Sequence, residues 1–147
     1  MAPKSRKTKG FKLRAHEAGR MVSARRPGAV VERSESVATV KRGAEGRASI
    51  RAPFDAVVAK VHVPKGKPFK AKAALLTLHH LVRAHAAGVL DWIIEEGAAI
   101  QPADTVVIIS GAGQQHVYGA GVAGTVVCVK ASAGDNLVLG QALVEIA

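Results

Sequence analysis

Apolar residues in this chain come in short runs of Val, Ile, Leu and Ala, each closed by Gly, Pro, Asn or Asp, and no window sustains the i, i+3, i+4, i+7 stripe of a helix. Val57 to Val63, Val89 to Ile94, Thr125 to Val129 and Leu137 to Ile146 are such runs. They are rich in the β-branched residues that suit a pleated, half-buried surface. Val61-His62-Val63 and Val127-Cys128-Val129 alternate as strands with one wet face do. The pattern predicts an all-β chain.

The runs also repeat. Arg14-Ala15-His16-Glu17-Ala18-Gly19 returns 69 positions later as Arg83-Ala84-His85-Ala86-Ala87-Gly88, and the same offset brings Gly28 onto Gly97 and Val37 onto Val106. After one inserted residue the offset becomes 68, where Val58, Val61, Gly66 and Leu75 meet Val126, Val129, Gly134 and Leu143. A repeat that re-registers after a single insertion is a duplication. Each module is itself two half-repeats of strand, Gly turn and strand, beginning near residues 14, 51, 83 and 119.

Two phrases carry a family resemblance. Ile50-Arg51-Ala52-Pro53-Phe54-Asp55-Ala56-Val57-Val58 resembles the "(R)APxxGxV" opening of a half of a biotinyl/lipoyl domain, and Gly134-Asp135-Asn136-Leu137-Val138-Leu139-Gly140-Gln141-Ala142-Leu143-Val144-Glu145-Ile146 resembles its "GDxVxxGQxLxxI" close. The resemblance covers nearly the whole chain. It implies two tandem flattened β-barrels, or barrel-sandwich hybrids, each from two interlocked half-repeats. The expected division is a basic tail at 1–11, a first barrel at 12–79 and a second at 80–147. Such domains carry biotin or lipoate on a lysine, or sit unmodified in membrane-fusion adaptor proteins of secretion and efflux systems.

Carrier function in that family depends on a lysine at the tip of the hairpin joining the two halves. The second module aligns without gaps over Ile109 to Gly121, and Gly113 falls at that position; glycine has no amine to acylate. The first module's hairpin, Val40 to Arg47, is one residue longer, its tip is Gly43-Ala44, and Lys41 sits near the strand end without the expected neighbours. The resemblance therefore implies no covalent cofactor at either tip.

Charge divides the chain. Residues 1–11 carry +4, residues 12–80 carry fifteen Lys or Arg against five acids, and residues 81–147 carry Arg83 and Lys130 against six acids. A strongly cationic half and a mildly anionic half speed encounter with anionic partners and can orient copies head to tail. Lys4, Arg6, Lys7, Lys9 and Lys12, ahead of the core pattern, are the expected contacts to an anionic partner. Lys65, Lys67, Lys70 and Lys72 serve equally well as solubilising positions that blunt strand edges. The aromatics Phe11, Phe54, Phe69, Trp92 and Tyr118 are too scattered in sequence to predict a base-stacking platform.

Little else in the sequence signals chemistry. Adjacent strand residues point to opposite faces, which disfavours joint metal binding by His79 and His80, and the repeat-equivalent His16 and His85 mark the same turn twice. Cys128 is expected as a small buried filler, and no catalytic constellation stands out, so neither an enzyme nor a metal site is expected. The short junction Leu78-His79-His80-Leu81 argues against a swinging arm. The basic start is not followed by a secretory signal's apolar run, and no stretch reaches the length of a membrane span. The resulting expectation is a cytoplasmic or particle-borne, non-enzymatic structural protein that docks on a large anionic assembly, such as a virion or capsid decoration component, in multiple copies or as a homo-oligomer. A degenerate carrier or adaptor subunit is the alternative, and non-specific nucleic-acid binding is the third reading.

Overall fold

A computed structural model describes residues 10–43 and 46–147. Its regular elements are β1 (Phe11–Arg14), β2 (Gly19–Ala24), β3 (Val30–Val31), β4 (Ser36–Lys41), β5 (Arg47–Arg51), β6 (Ala56–Val61), β7 (Pro68–Phe69), β8 (Ala74–Arg83), β9 (Gly88–Ile93), β10 (Ala99–Ile100), β11 (Thr105–Gly111), β12 (Gln114–Gly119), β13 (Gly124–Val129), β14 (Asn136–Leu137) and β15 (Ala142–Ile146). Among the described residues there is no α-helix, and hence none long and apolar enough to cross a membrane.

The described residues divide into two units, Gly10–His80 and Leu81–Ala147. In the first, one sheet runs β5-β4-β2-β7 and the other runs β1-β8-β6-β3. In the second, one sheet runs β12-β11-β9-β14, and β10-β13-β15 continues onto the last residues of β8. The chain is all-β, and each unit is a two-sheet arrangement of the barrel-sandwich kind. No sheet among the described residues closes into a barrel.

Strand positions obey the sequence repeat. β2, β3 and β4 begin 69 residues before β9, β10 and β11, whereas β6, β7 and β8 begin 68 residues before β13, β14 and β15. The lost residue lies in a hairpin: Lys41 pairs with Arg47 in the first unit, and Ser110 with Gln115 in the second. Even the irregularities recur. Met21 and Ser23 face Val40 and Thr39 with Val22 left over, and Leu90 and Trp92 face Ile109 and Ile108 with Asp91 left over. Ala59 and Val127 are the corresponding extra residues of β6 and β13. Each is a β-bulge, which turns the side chains beyond it to the other face and sharpens the twist.

Each unit has its own core. Met21, Val31, Val37, Val40, Val58, Leu75, Leu76 and Leu78 lead the first, and Leu90, Val106, Val107, Ile109, Val126, Leu143, Val144 and Ile146 lead the second. Both sheets of a unit contribute to its core. Burying one such side chain is worth about 1.5–3 kcal/mol, so these rows, rather than the few aromatics, hold the units together.

The bulges correct one sequence expectation. Strict alternation through Val127-Cys128-Val129 fails because Val127 is the bulge residue, and Cys128 stands opposite Glu145 and is only partly buried. Cys128 is therefore not a core filler.

Candidate functional site: hairpin tips and a cationic sheet face

The β11–β12 hairpin closes on Gly111 and Gln114, leaving Ala112 and Gly113 as a two-residue turn. Both have positive φ, 52° and 78°, the mirror-image turn that matches strand twist and favours glycine at its second position. Gly113 stands at the tip, and a β-carbon built there would meet nothing within 4 Å. In the first unit the Arg42 N–H donates to the Gly46 carbonyl at 3.0 Å, enclosing one residue more. Gly43 has φ +50°, and Ala44 lies outside the described residues. Lys41 is the last residue of β4, exposed and flanked by Arg20 and Arg47 rather than at the tip. The second unit's one lysine, Lys130, lies far along the chain from its hairpin and pairs with Glu145 at 3.4 Å.

Of the residues expected to contact an anion, Lys4, Arg6, Lys7 and Lys9 lie outside the described residues, and Lys12 lies in β1. There it belongs to a row: Lys12 of β1 and Lys60 of β6 both stand opposite Thr77 of β8, one on each side. Cross-strand partners share a face, so the two ammonium groups flank the Thr77 hydroxyl on the side opposite Leu76 and Leu78. The Ala59 bulge makes this register, since it moves Lys60 rather than Ala59 opposite Thr77. Thr77 is buried, and its Oγ1 is hydrogen-bonded to His62 Nε2 at 2.7 Å. Burial, and after it Lys60, Lys12 and Arg14, hold the His62 imidazole below its ordinary pKa. The three nearby cations thus add to burial in disfavouring a further positive charge on this imidazole.

More positive charge is tied to the neighbouring edge. Arg14 Nη1 donates to the Lys72 carbonyl at 3.1 Å, and Arg20 Nη1 donates to the Gly66 carbonyl at 2.6 Å. These bonds hold the segment carrying Lys65, Lys67, Lys70 and Lys72 against β1 and β2. The second unit lacks this cationic row: Cys128 replaces Lys60, Glu145 replaces Thr77, and Lys130, paired with Glu145, replaces His62.

One grouping was not visible in the sequence. Phe54 stacks on His80, centroids 3.5 Å apart, and meets Phe11 edge-on at 5.3 Å. Burial lowers the His80 pKa. The three rings lie 26 to 69 positions apart in the chain, so only the pairing of β1 and β6 with β8 could reveal them. Phe54 gives one face to His80 and meets Phe11 edge-on, while Phe11 stays 44% exposed. These contacts add to packing.

No curated protein matches the chain. The family model described as "Biotin-requiring enzyme", the biotinyl/lipoyl family, matches residues 81–146, a little under half of the chain. That stretch is the whole of the second unit but its last residue, from the end of β8 to β15, with Gly113 at its hairpin tip. Residues 81–146 are thus similar to biotinyl/lipoyl domains.

Proposed function

We propose that this chain is a non-enzymatic docking module: two biotinyl/lipoyl-like units without an acceptor lysine at either hairpin tip, the first of which seats the chain on an anionic partner. The observation that supports this reading is the row Lys12–Thr77–Lys60, with His62 bonded to Thr77 and Arg14 two residues beyond Lys12 on β1. Three cations held on one sheet face at fixed register offer a pre-organised seat for phosphate or carboxylate groups, and the basic N-terminal residues add sequence-independent attraction. The charge division between the halves supports a setting in a multi-subunit particle, where one face binds and the other is presented.

The test is binding of a fluorescent DNA duplex and of polyglutamate across a salt series, with wild type and a Lys12→Ala/Lys60→Ala pair. Binding of at least one polyanion is expected. For DNA, loss of two phosphate contacts lowers the slope of log K against log salt by about 1.8. No binding of either polymer at low salt, or an unchanged slope, sinks the proposal.

The second reading, a covalent carrier, has Lys41 as its remaining candidate near a described hairpin tip. Co-expression with biotin and lipoate ligases followed by intact-mass measurement is expected to give the unmodified chain. An adduct on Lys41 would transfer the reading to a carrier.

A further inference from the structure

The other sheet of the first unit carries charge that its fold does not call for. Arg20 of β2, Lys41 of β4 and Arg47 of β5 stand opposite one another across three adjacent strands of the β5-β4-β2-β7 sheet. All three are exposed, while their neighbours Met21 and Val40 turn the other way, into the core. Opposed like charges destabilise a strand pair. Among the described residues no carboxylate lies within ion-pair distance of the three: Glu17 pairs with Arg42 at 3.8 Å, and Glu35 with Arg25 at 3.0 Å. Edge protection accounts for arginine on the outer strand β5, but β2 and β4 are inner strands with no open edge to guard.

The duplication supplies an internal control. The register-equivalent row of the second unit is Val89–Ser110–Gln115, on β9, β11 and β12, and holds no charge. The same fold is therefore built without these cations. One row farther from the hairpin, Ser23, Thr39 and Ser49 of the first unit stand where the second has Trp92, Ile108 and Val117. Arg51 follows on the same face of β5, and its Nη1 donates to the Ser34 carbonyl at 2.9 Å. The outer face of the first unit's sheet thus runs from a cationic row through a hydroxyl row to a further cation.

We infer that this face binds the phosphate backbone of duplex nucleic acid without regard to base sequence. The chemistry of the face selects this occupant. Arg, Lys, Ser and Thr side chains are the groups that donate to phosphate oxygens and so position a protein on a duplex. A protein partner calls for an apolar interface core, and the two rows hold no apolar residue. A single strand calls for aromatic rings on which bases stack, and these rows hold none, whereas a duplex keeps its bases stacked inside and presents phosphates. Arg20 is fixed for such contact, since its bond to the Gly66 carbonyl at 2.6 Å orients the guanidinium and leaves it further donors. The face lies on the opposite sheet from the Lys12–Thr77–Lys60 row and uses none of its residues. It shares with the docking reading only the premise that the first unit meets an anion.

The test is fluorescence anisotropy of the full chain with a short labelled DNA duplex across a salt series, with the unlabelled duplex, its single strand and polyglutamate as competitors. Arg20→Val/Lys41→Ser/Arg47→Gln, which installs the second unit's residues, is expected to lower the slope of log K against log salt by about 2.7, with unchanged circular dichroism. Arg47→Gln alone, on the outer strand, is expected to lower it by about 0.9 should the triple variant fold poorly, and Arg47→Lys, which keeps the charge, leaves it unchanged. Lys12→Ala/Lys60→Ala reads the other sheet, so either row can fail while the other stands. No binding of the duplex at low salt overturns the inference, as does an unchanged slope in the folded triple variant or in Arg47→Gln. So does a single strand that competes better than the duplex, or polyglutamate that competes as well at equal charge, which would give the face to an acidic protein.

Discussion

Gly19 and Gly88 hold the same place in the two units, each so near a neighbouring strand that a β-carbon would run into a carbonyl oxygen, of Lys41 in one and of Ser110 in the other. The glycines open β2 and β9, whose first residues slide between two partner strands. Backbone rather than a flexible side chain fills the missing space, so the clash cannot be relieved by a rotamer change.

Gly19→Ala and Gly88→Ala are each expected to destabilise their unit by about 1–3 kcal/mol. Urea unfolding followed by far-ultraviolet circular dichroism measures this. A loss below a few tenths would mean that the strands spread at no cost.

Stability should fall in mild acid. His62 and His80 are both held below the ordinary value of 6.5 in the folded chain, by burial first and, for His62, then by Lys60, Lys12 and Arg14. The unfolded chain takes up these protons near 6.5, and the folded chain resists until lower pH, so stability is complete above that value and declines as pH drops through it. Thermal melts across this range should show the decline. In a His62→Gln/His80→Phe variant, which removes both protonations, the melting temperature should vary less.

The second hairpin should accept a lysine. Gly113→Lys meets open space, but φ +78° is a left-handed conformation that costs a non-glycine residue roughly 1–2 kcal/mol. The expected variant folds with a slightly lower melting temperature. Failure to fold would show that the tip is packed more closely than its surroundings indicate.

Much of this architecture could be read from residue order, because it rests on local signals. The offset change from 69 to 68 located the extra residue between Val40 and Val58, and the hairpin pairs Lys41–Arg47 and Ser110–Gln115 place it at the turn. Turn glycines marked the strand ends. What stayed hidden depends on which residues face each other across strands. Lys12 was legible as a basic residue before the core, but its partners Thr77 and Lys60 follow from register set by the Ala59 bulge. Trp92, Ile108 and Val117 read as ordinary strand residues until pairing aligned them. Cys128 was misjudged for the same reason, since period-two reasoning assigns a face by parity and a bulge resets it.

That resetting reaches beyond the residues at the bulge. On either side of Asp91, or of Val22 in the first unit, odd and even positions exchange roles, so one strand contains two segments with opposite rules for what faces solvent. Deleting Asp91 would do more than shorten β9: it would drive the indole of Trp92 inward and reverse every later side chain of the strand. The extra residue acts as a phase marker for the sequence, and both copies of the duplicated unit have kept it while their outward chemistry diverged.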